Sequence, residues 1–533
     1  MASPTIDSLT EELMSVRNGI VLLLALSTLT LLVGCGGSSS PKPNPVGFSQ
    51  GNLSGTYVFS STGADGNGGL LAAAGTVVAN GSGGITGGTM DVIGVDFVPP
   101  VPVAQAITSG SYTVGSDGRG QATLTSSAGT IVLDFVLTSS SHGLVTEFDS
   151  GTGSGTIDLQ TAVTSLSQLQ GPYAFSFAGV DASLTNTFAT VGAFTLDTTG
   201  DVTAGVEDFN DAGIPYLNQS LSDSVAATLG SGTGPGTITF TTTFGALTFD
   251  FYPIDATHLK FIETDSNEFL AGDAFTQTGA SIPTGPMAFT MAGGSLATGP
   301  IAVGGVMTSD GTGNFTGGLE DVNDNGTISV APVPFTGTAA AGGSVGGRVI
   351  VNLTGFVPAT QWVIYPSSGG LLMLETDSAT VTVGAGYAQT SQTFAASQNY
   401  GLNLSAVNTG NGSGSFEEDD IAQFTTTSTG FSGIVDINDE GSTSFDQSFS
   451  GTYTAPDSTG RGTATTTANN NQFVSFTFYV VDSSTVLLLE TDSNQIGTGT
   501  IELQSAPAAH AAARSAVSLV RPILRAHTAL RRK

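Results

Sequence analysis

Apolar and polar residues alternate along most of this chain. In ALTFDFYPI (246–254), Leu247, Phe249 and Phe251 point to one side and Thr248, Asp250 and Tyr252 to the other, the period of two of a half-buried antiparallel strand. Eight such runs follow one another between 172 and 277: PYAFSFAG, FATVGAFTL, DVTAGVEDF, LSDSVAATL, GTITFTTTF, ALTFDFYPI, HLKFIETD and AGDAFTQ. Turn residues separate them, and none has a helical period. Eight short antiparallel strands with hairpin-length connections predict an all-β unit, an up-and-down β-barrel in preference to a two-sheet β-sandwich.

The unit recurs. A Glu and an Asp two residues apart stand in VTEFDS (145–150), FIETDS (261–266), MLETDS (373–378) and LLETDS (488–493), at offsets of 116, 112 and 115 residues. Each unit opens on a similar strand, as in GTYVFSS at 55 and GPYAFSF at 171, and closes on a Gln: Gln160, Gln277, Gln389 or Gln504. A period above 100 residues marks whole domains in tandem, not a solenoid. The predicted domains are 51–160, 171–277, 285–389 and 397–504, strung closely on joints of about ten residues.

Ahead of the repeats, MSVRNGIVLLLALSTLTLLVGCGGSSSPKPNP begins at Met14 with Arg17, then an apolar run from Ile20 to Val33. The run is short for a spanning helix and fits a secretory signal. Leu32-Val33-Gly34-Cys35 resembles the lipobox of bacterial lipoproteins. The resemblance implies a signal peptide over 1–34, with translation starting at Met1 or Met14. It further implies a diacylglycerol on the thiol of Cys35, a flexible tether over 35–50, and sorting to the outer membrane or cell surface, since Gly36 and not Asp follows the Cys. In its Gly-opened first strand and its G-x-Y-T-V…D-G-R-G hairpin (110–120), the unit is similar to lipocalin- and avidin-type barrels and to tandem-repeat bacterial surface lipoproteins.

Charge narrows the partners. Residues 51–504 carry a net charge of −36, with Arg119, Lys260, Arg348 and Arg461 as their only Lys or Arg residues. Nucleic acid needs a basic face and is excluded as a partner. The tail 505–533 holds six Lys or Arg residues and no acid, and reads as a disordered terminus or a basic helix on a membrane surface. FEEDDIAQF at 416 reads as a solvated loop or strand edge. With Cys35 alone, the chain forms no internal disulfide.

Two groups of residues are candidate metal or ligand sites. The first is the acidic cluster: Glu147, Asp149, Glu263, Asp265, Glu375, Asp377, Glu490 and Asp492. On a strand each Glu shares a face with apolar residues such as Phe261 or Leu488, while Lys260 lies on the opposite, solvent-seeking face. The acids are therefore expected inside, at a barrel's mouth, where calcium or a polar ligand could meet them. The competing reading is structural: Asp-Ser starts the turn, and Glu pairs inside its own unit with Arg119, Arg348 or Arg461. Unit two has Pro235 at that position.

The second group is a hairpin, EDFNDAG at 207, EDVNDNG at 320 and VDINDEG at 435, contributing Asp208, Asn210, Asp321, Asn323, Asn325, Asp436 and Asn438. It opens like a calcium loop, but position 12 of such a loop is Pro332 where a bidentate Glu is needed. Asn-Asp-x-Gly between alternating strands is a hairpin signal.

No catalytic residue is assigned. His142 and His258 precede the cluster's Glu by five residues, but Gly370 and Thr485 stand there in the other units. Trp362 aligns with Phe249 and Phe476 and is expected in a core. The expectation is a lipid-anchored envelope protein acting as a structural or binding module without catalytic activity and without a cofactor, calcium aside. The alternative is a binder of a small ligand, polysaccharide or envelope component in the barrels, and a secreted hydrolase comes third.

Overall fold

The computed structural model describes residues 46–94, 104–127, 129–184, 186–223, 225–265, 268–409, 416–467 and 474–505. The leader 1–34, Cys35, most of the tether and the tail from 506 lie outside the described residues.

The chain forms four tandem antiparallel β-barrels. In the fourth, eight strands close in chain order: Asn399–Asn408, Phe416–Thr426, Gly430–Asp439, Ser442–Tyr453, Arg461–Thr466, Ser475–Val480, Thr485–Glu490 and Gln495–Leu503. The first and last strands pair in every barrel, Ser54–Ala64 with Thr152–Leu159, Gly171–Val180 with Phe269–Thr276, Gly285–Ser295 with Thr380–Ala388, and Asn399–Asn408 with Gln495–Leu503. Closure satisfies the edges that an open sheet would expose. In barrel 2 the fourth strand is Ile214–Ser220, and only Ser222–Asp223 of the expected LSDSVAATL run is strand. The preceding hairpin turns on just Ala212 and Gly213, both at positive φ, so the returning strand starts at once.

Inward side chains fill each barrel: Phe59 and Phe135 in the first, Phe175, Phe177 and Phe261 in the second, Phe289 and Trp362 in the third, Phe424 and Phe478 in the fourth. Trp362 is fully buried, as expected of a core residue.

The outward faces are apolar too, because they are also buried. Ala174, Ala189 and Val191 of barrel 2 pack on Val363, Leu372 and Leu374 of barrel 3. Val58 and Ala72 of barrel 1 meet Tyr252 and Ile262 of barrel 2, and Ala288 and Ala302 of barrel 3 meet Leu487 and Leu489 of barrel 4. The early strands of barrel 4 return to barrel 1, where Ile421 packs on Val136 and Leu144. In each joint the early strands of one barrel cover the late strands of the next, and the fourth joint closes the series into a ring.

Candidate functional site: the joints and the mouth of barrel 1

Each hairpin Asp faces the next barrel. Asp321 of barrel 3 accepts a fork from Arg461 of barrel 4, Nε at 2.8 Å and Nη2 at 2.6 Å, and the Tyr479 hydroxyl at 2.8 Å. Asp208 of barrel 2 is held likewise by Arg348 of barrel 3, with both nitrogens at 2.6 Å, and by Tyr365 at 2.6 Å. Asp436 of barrel 4 closes the ring on Arg119 of barrel 1 at 3.0 Å. Bidentate guanidinium–carboxylate pairs are strong and directional, which suits a fixed docking angle. The expected pairing of these arginines with the Glu of their own unit is therefore corrected: each reaches the hairpin Asp of the preceding barrel. At the first joint, where Pro235 replaces the Arg, Asp91 accepts the Tyr252 hydroxyl at 2.6 Å.

The hairpin Asn docks on the acidic cluster. Asn325 and Gly326 are the two turn residues, both at positive φ, and the Gly326 N–H donates to Asn323 Oδ1 at 3.0 Å. Asn323 Nδ2 then reaches the carbonyls of Glu490 (3.1 Å), Asp492 (3.1 Å) and Gln495 (2.8 Å) in barrel 4. Asn210 reaches those of Glu375, Asp377 and Thr380, and Asn438 those of Glu147 and Gly151. The two candidate groups are thus the two halves of one joint. The closing Gln belongs to it as well: Gln389 donates to the Val480 carbonyl at 2.7 Å, and Gln504 of barrel 4 to the Asp117 and Leu137 carbonyls of barrel 1, both at 2.8 Å.

Within the cluster the acids divide the work. The Asp ties its strand end to the neighbouring strand: Asp149 accepts the Val132 N–H at 2.8 Å and Asp492 the Val474 N–H at 3.0 Å, while Asp265 and Asp377 take those of Thr248 and Thr360. The Glu points inward, as expected. Glu375 accepts the Thr380 and Thr382 hydroxyls, Glu263 accepts the Glu268 N–H, and among the described residues no N–H or hydroxyl donates to Glu490. Burial, then the nearby Asp149, pushes the Glu147 carboxyl up to about 8. Glu263 and Glu490 are raised well above the usual range for the same reasons, burial first and Asp265 or Asp492 next. Among the described residues, no group of three or more His, Cys, Asp or Glu is placed to hold a metal ion.

Two expectations about charge are corrected. Lys260 is buried, its Nζ 3.1 Å from Asp273, because the outer face it lies on is covered by other barrels. The FEEDDIAQF run is the second strand of barrel 4, with Glu418, Asp419 and Asp420 fully buried. Asp419 accepts Thr152 (2.8 Å) and Ser154 (2.6 Å) hydroxyls of barrel 1.

Sequence reasoning missed a buried polar cluster across the closing joint. His142 of barrel 1 lies 2.7 Å from Asp158 and 2.9 Å from Glu502 of barrel 4, while His258 lies 2.6 Å from Asp273. A signal was present: GTIDLQ and GTIELQ place Asp158 and Glu502 at equivalent positions.

Barrel 1 opens into a cavity of about 470 Å³ at its mouth, walled by Leu71, Met90, Val92 and Ile131 with Glu147 and Asp149 beside them. In barrel 4 a space of about 10 Å³ remains among Phe424, Phe431 and Phe478.

Neither a protein-family model nor a curated protein matches this chain.

Proposed function

We propose that this chain is a lipid-anchored protein of the cell envelope, at the outer membrane or cell surface, acting as a structural or binding module without catalytic activity. The observation that carries the reading is the use made of the retained polar residues. Asp321, Asn323, Arg461 and Gln389, with their counterparts, bond one barrel to the next. Such residues recur because three of the four joints are built on them, which accounts for the repeat without a repeated reaction. The strong negative charge of the barrels keeps the module soluble and apart from like-charged surfaces. The anchor rests on Leu32-Val33-Gly34-Cys35 and the Gly/Ser/Pro tether behind it. Several acyl chains on Cys35 would hold the ring firmly at a membrane where one chain is marginal.

The test is Cys35→Ser in the full chain. Radiolabelled palmitate incorporation and sedimentation with membranes should both be lost, while the melting temperature of the barrels stays unchanged. Labelling that persists in the variant sinks the anchored reading.

A further inference from the structure

We propose that the mouth of barrel 1 is a binding site for a small amphipathic cation, a molecule with an apolar body and a primary ammonium group. The proposal goes beyond the envelope-module reading, which stands whether or not this cavity takes a ligand.

The cavity is written into the sequence of barrel 1. Strand register places Ser61, Leu71, Val92, Leu133 and Val145 where barrel 2 has Phe177, Phe188, Phe209, Phe249 and Phe261. In barrel 2, Phe188 and Phe209 stack at 5.2 Å, and Phe209 meets Tyr216 at 4.7 Å and Phe244 at 5.3 Å, so rings stopper the mouth. Among the described residues, barrel 1 carries Leu71 and Val92 in place of the Phe188–Phe209 stack. The resulting space of about 470 Å³ falls within the range of roughly 300–1,000 Å³ typical of small-molecule sites, which are mostly apolar with a few convergent polar groups.

Charge selects the ligand. Glu147, only 4% exposed, borders the cavity at its inner end. Among the described residues the Ser61 hydroxyl, at 3.3 Å from Oε2, is the one side-chain donor that reaches it. Asp149 lines the same wall, and among the described residues no Lys or Arg does. A buried carboxylate without a cation is costly, and burial accordingly raises the Glu147 carboxyl to about 8; an ammonium brought in by a ligand would favour the charged form while its apolar body covers Leu71, Val92 and Ile131.

The experiment titrates n-octylammonium, octan-1-ol and octanoate into the full chain by calorimetry. Saturable binding of octylammonium at one site is expected, tighter than octanol by about tenfold, the margin of a charge-assisted over a neutral hydrogen bond. Leu71→Phe with Val92→Phe, which installs the stopper of barrel 2 without altering net charge, should abolish binding. Glu147→Gln should bring octylammonium down to the octanol level. The second variant carries the test if the first fails to fold. Equal binding of octanoate, unsaturable binding, binding that survives the folded stopper variant, or octylammonium that still binds Glu147→Gln more tightly than octanol does overturns the proposal.

Discussion

The joint between barrels 3 and 4 and the joint between barrels 4 and 1 use equivalent strands but different chemistry. In the first, Ala288, Ala292, Ala302 and Val306 pack against Tyr479, Leu487, Leu489 and Ile496. In the second, the apolar contact shrinks to Val136, Leu144 and Ile421. Polar bonds replace it: Asp419 to Thr152 and Ser154, Asn403 to the Val145 carbonyl at 3.2 Å, and Glu502 to His142. The difference follows from the task of each joint. Barrels 3 and 4 are tied by a short linker, whereas barrels 4 and 1 meet only because the ring brings them together. A head-to-tail interface that does not close on itself propagates into filaments. Greasy end faces on barrels 1 and 4 would be exposed whenever the ring opened, and would invite a second molecule. Polar end faces cost little in the closed ring, since the other three joints supply a high effective concentration.

The largest expected effect comes from breaking the buried arginine forks. Arg348 and Asp208 are both nearly inaccessible, so Arg348→Ala strands a buried carboxylate and should destabilise the protein by about 3–5 kcal/mol in denaturant titrations. Arg119 at the closing joint is partly exposed, and one of its partners, Asp446, is 73% exposed. Its other partners, Asp117 and Asp436, are buried, so Arg119→Ala should cost less than the fork, about 1–3 kcal/mol. Equal costs would erase the contrast between linked and closing joints.

Much of the fold could be read from the chain, because period-two alternation and a period above 100 residues both survive in the sequence. The joints could not. In a tandem repeat, a pair formed within one unit and a pair formed between neighbouring units recur at the same spacing, so Arg461 with Glu490 and Arg461 with Asp321 look alike. Only the departures break the tie: Pro235 replaces the Arg in unit two, and Ile93 replaces the Asn in the unit before it. An outward face that packs on another barrel also carries no mark of its own, which is why Lys260 and FEEDDIAQF read as solvated. The inward direction of Glu147, Glu263, Glu375 and Glu490 was legible from the Leu and Phe residues that precede them.

A smaller effect should follow from pH, and at the closing joint it includes a buried histidine. Burial works against a charged His142, but Glu502 and Asp158 outweigh it and hold the imidazolium well above its ordinary 6.5. A raised histidine contributes stability that is fully present below its unfolded value and is lost as pH rises through the folded one. For Asp158 burial pushes the other way, but His142 holds the carboxyl below its ordinary 3.8, so its share is present above that value and is lost at lower pH. The pair therefore supports the joint fully between pH 3.8 and 6.5. Raising the pH to about 9 should weaken the closing joint by about 1.5–3 kcal/mol, the scale of hydrogen bonds to charged groups. Hydrogen exchange, corrected for its intrinsic pH dependence, should rise more in Phe416–Thr426 than in Gly299–Ser309. His142→Gln should remove the difference. An equal rise in both strands would show that the polar cluster does not set the response.

The smallest effect tests what the two joints share. Asn323 and Asn438 occupy equivalent hairpins, and each accepts the N–H of its own turn glycine, Gly326 at 3.0 Å and Gly441 at 2.8 Å. Each then donates across the joint to the carbonyls of an acidic-cluster turn. Replacing either by Ala removes both sets of bonds and leaves carbonyls buried without a donor, a cost of about 1–2 kcal/mol. Because this device is the same at both joints, Asn323→Ala and Asn438→Ala should cost the same within about 0.5 kcal/mol, the additivity error of distant sites. If Asn438→Ala costs clearly less, the closing joint spends part of its time open, and its polar surface is then a gate in the ring as well as a guard against a second molecule.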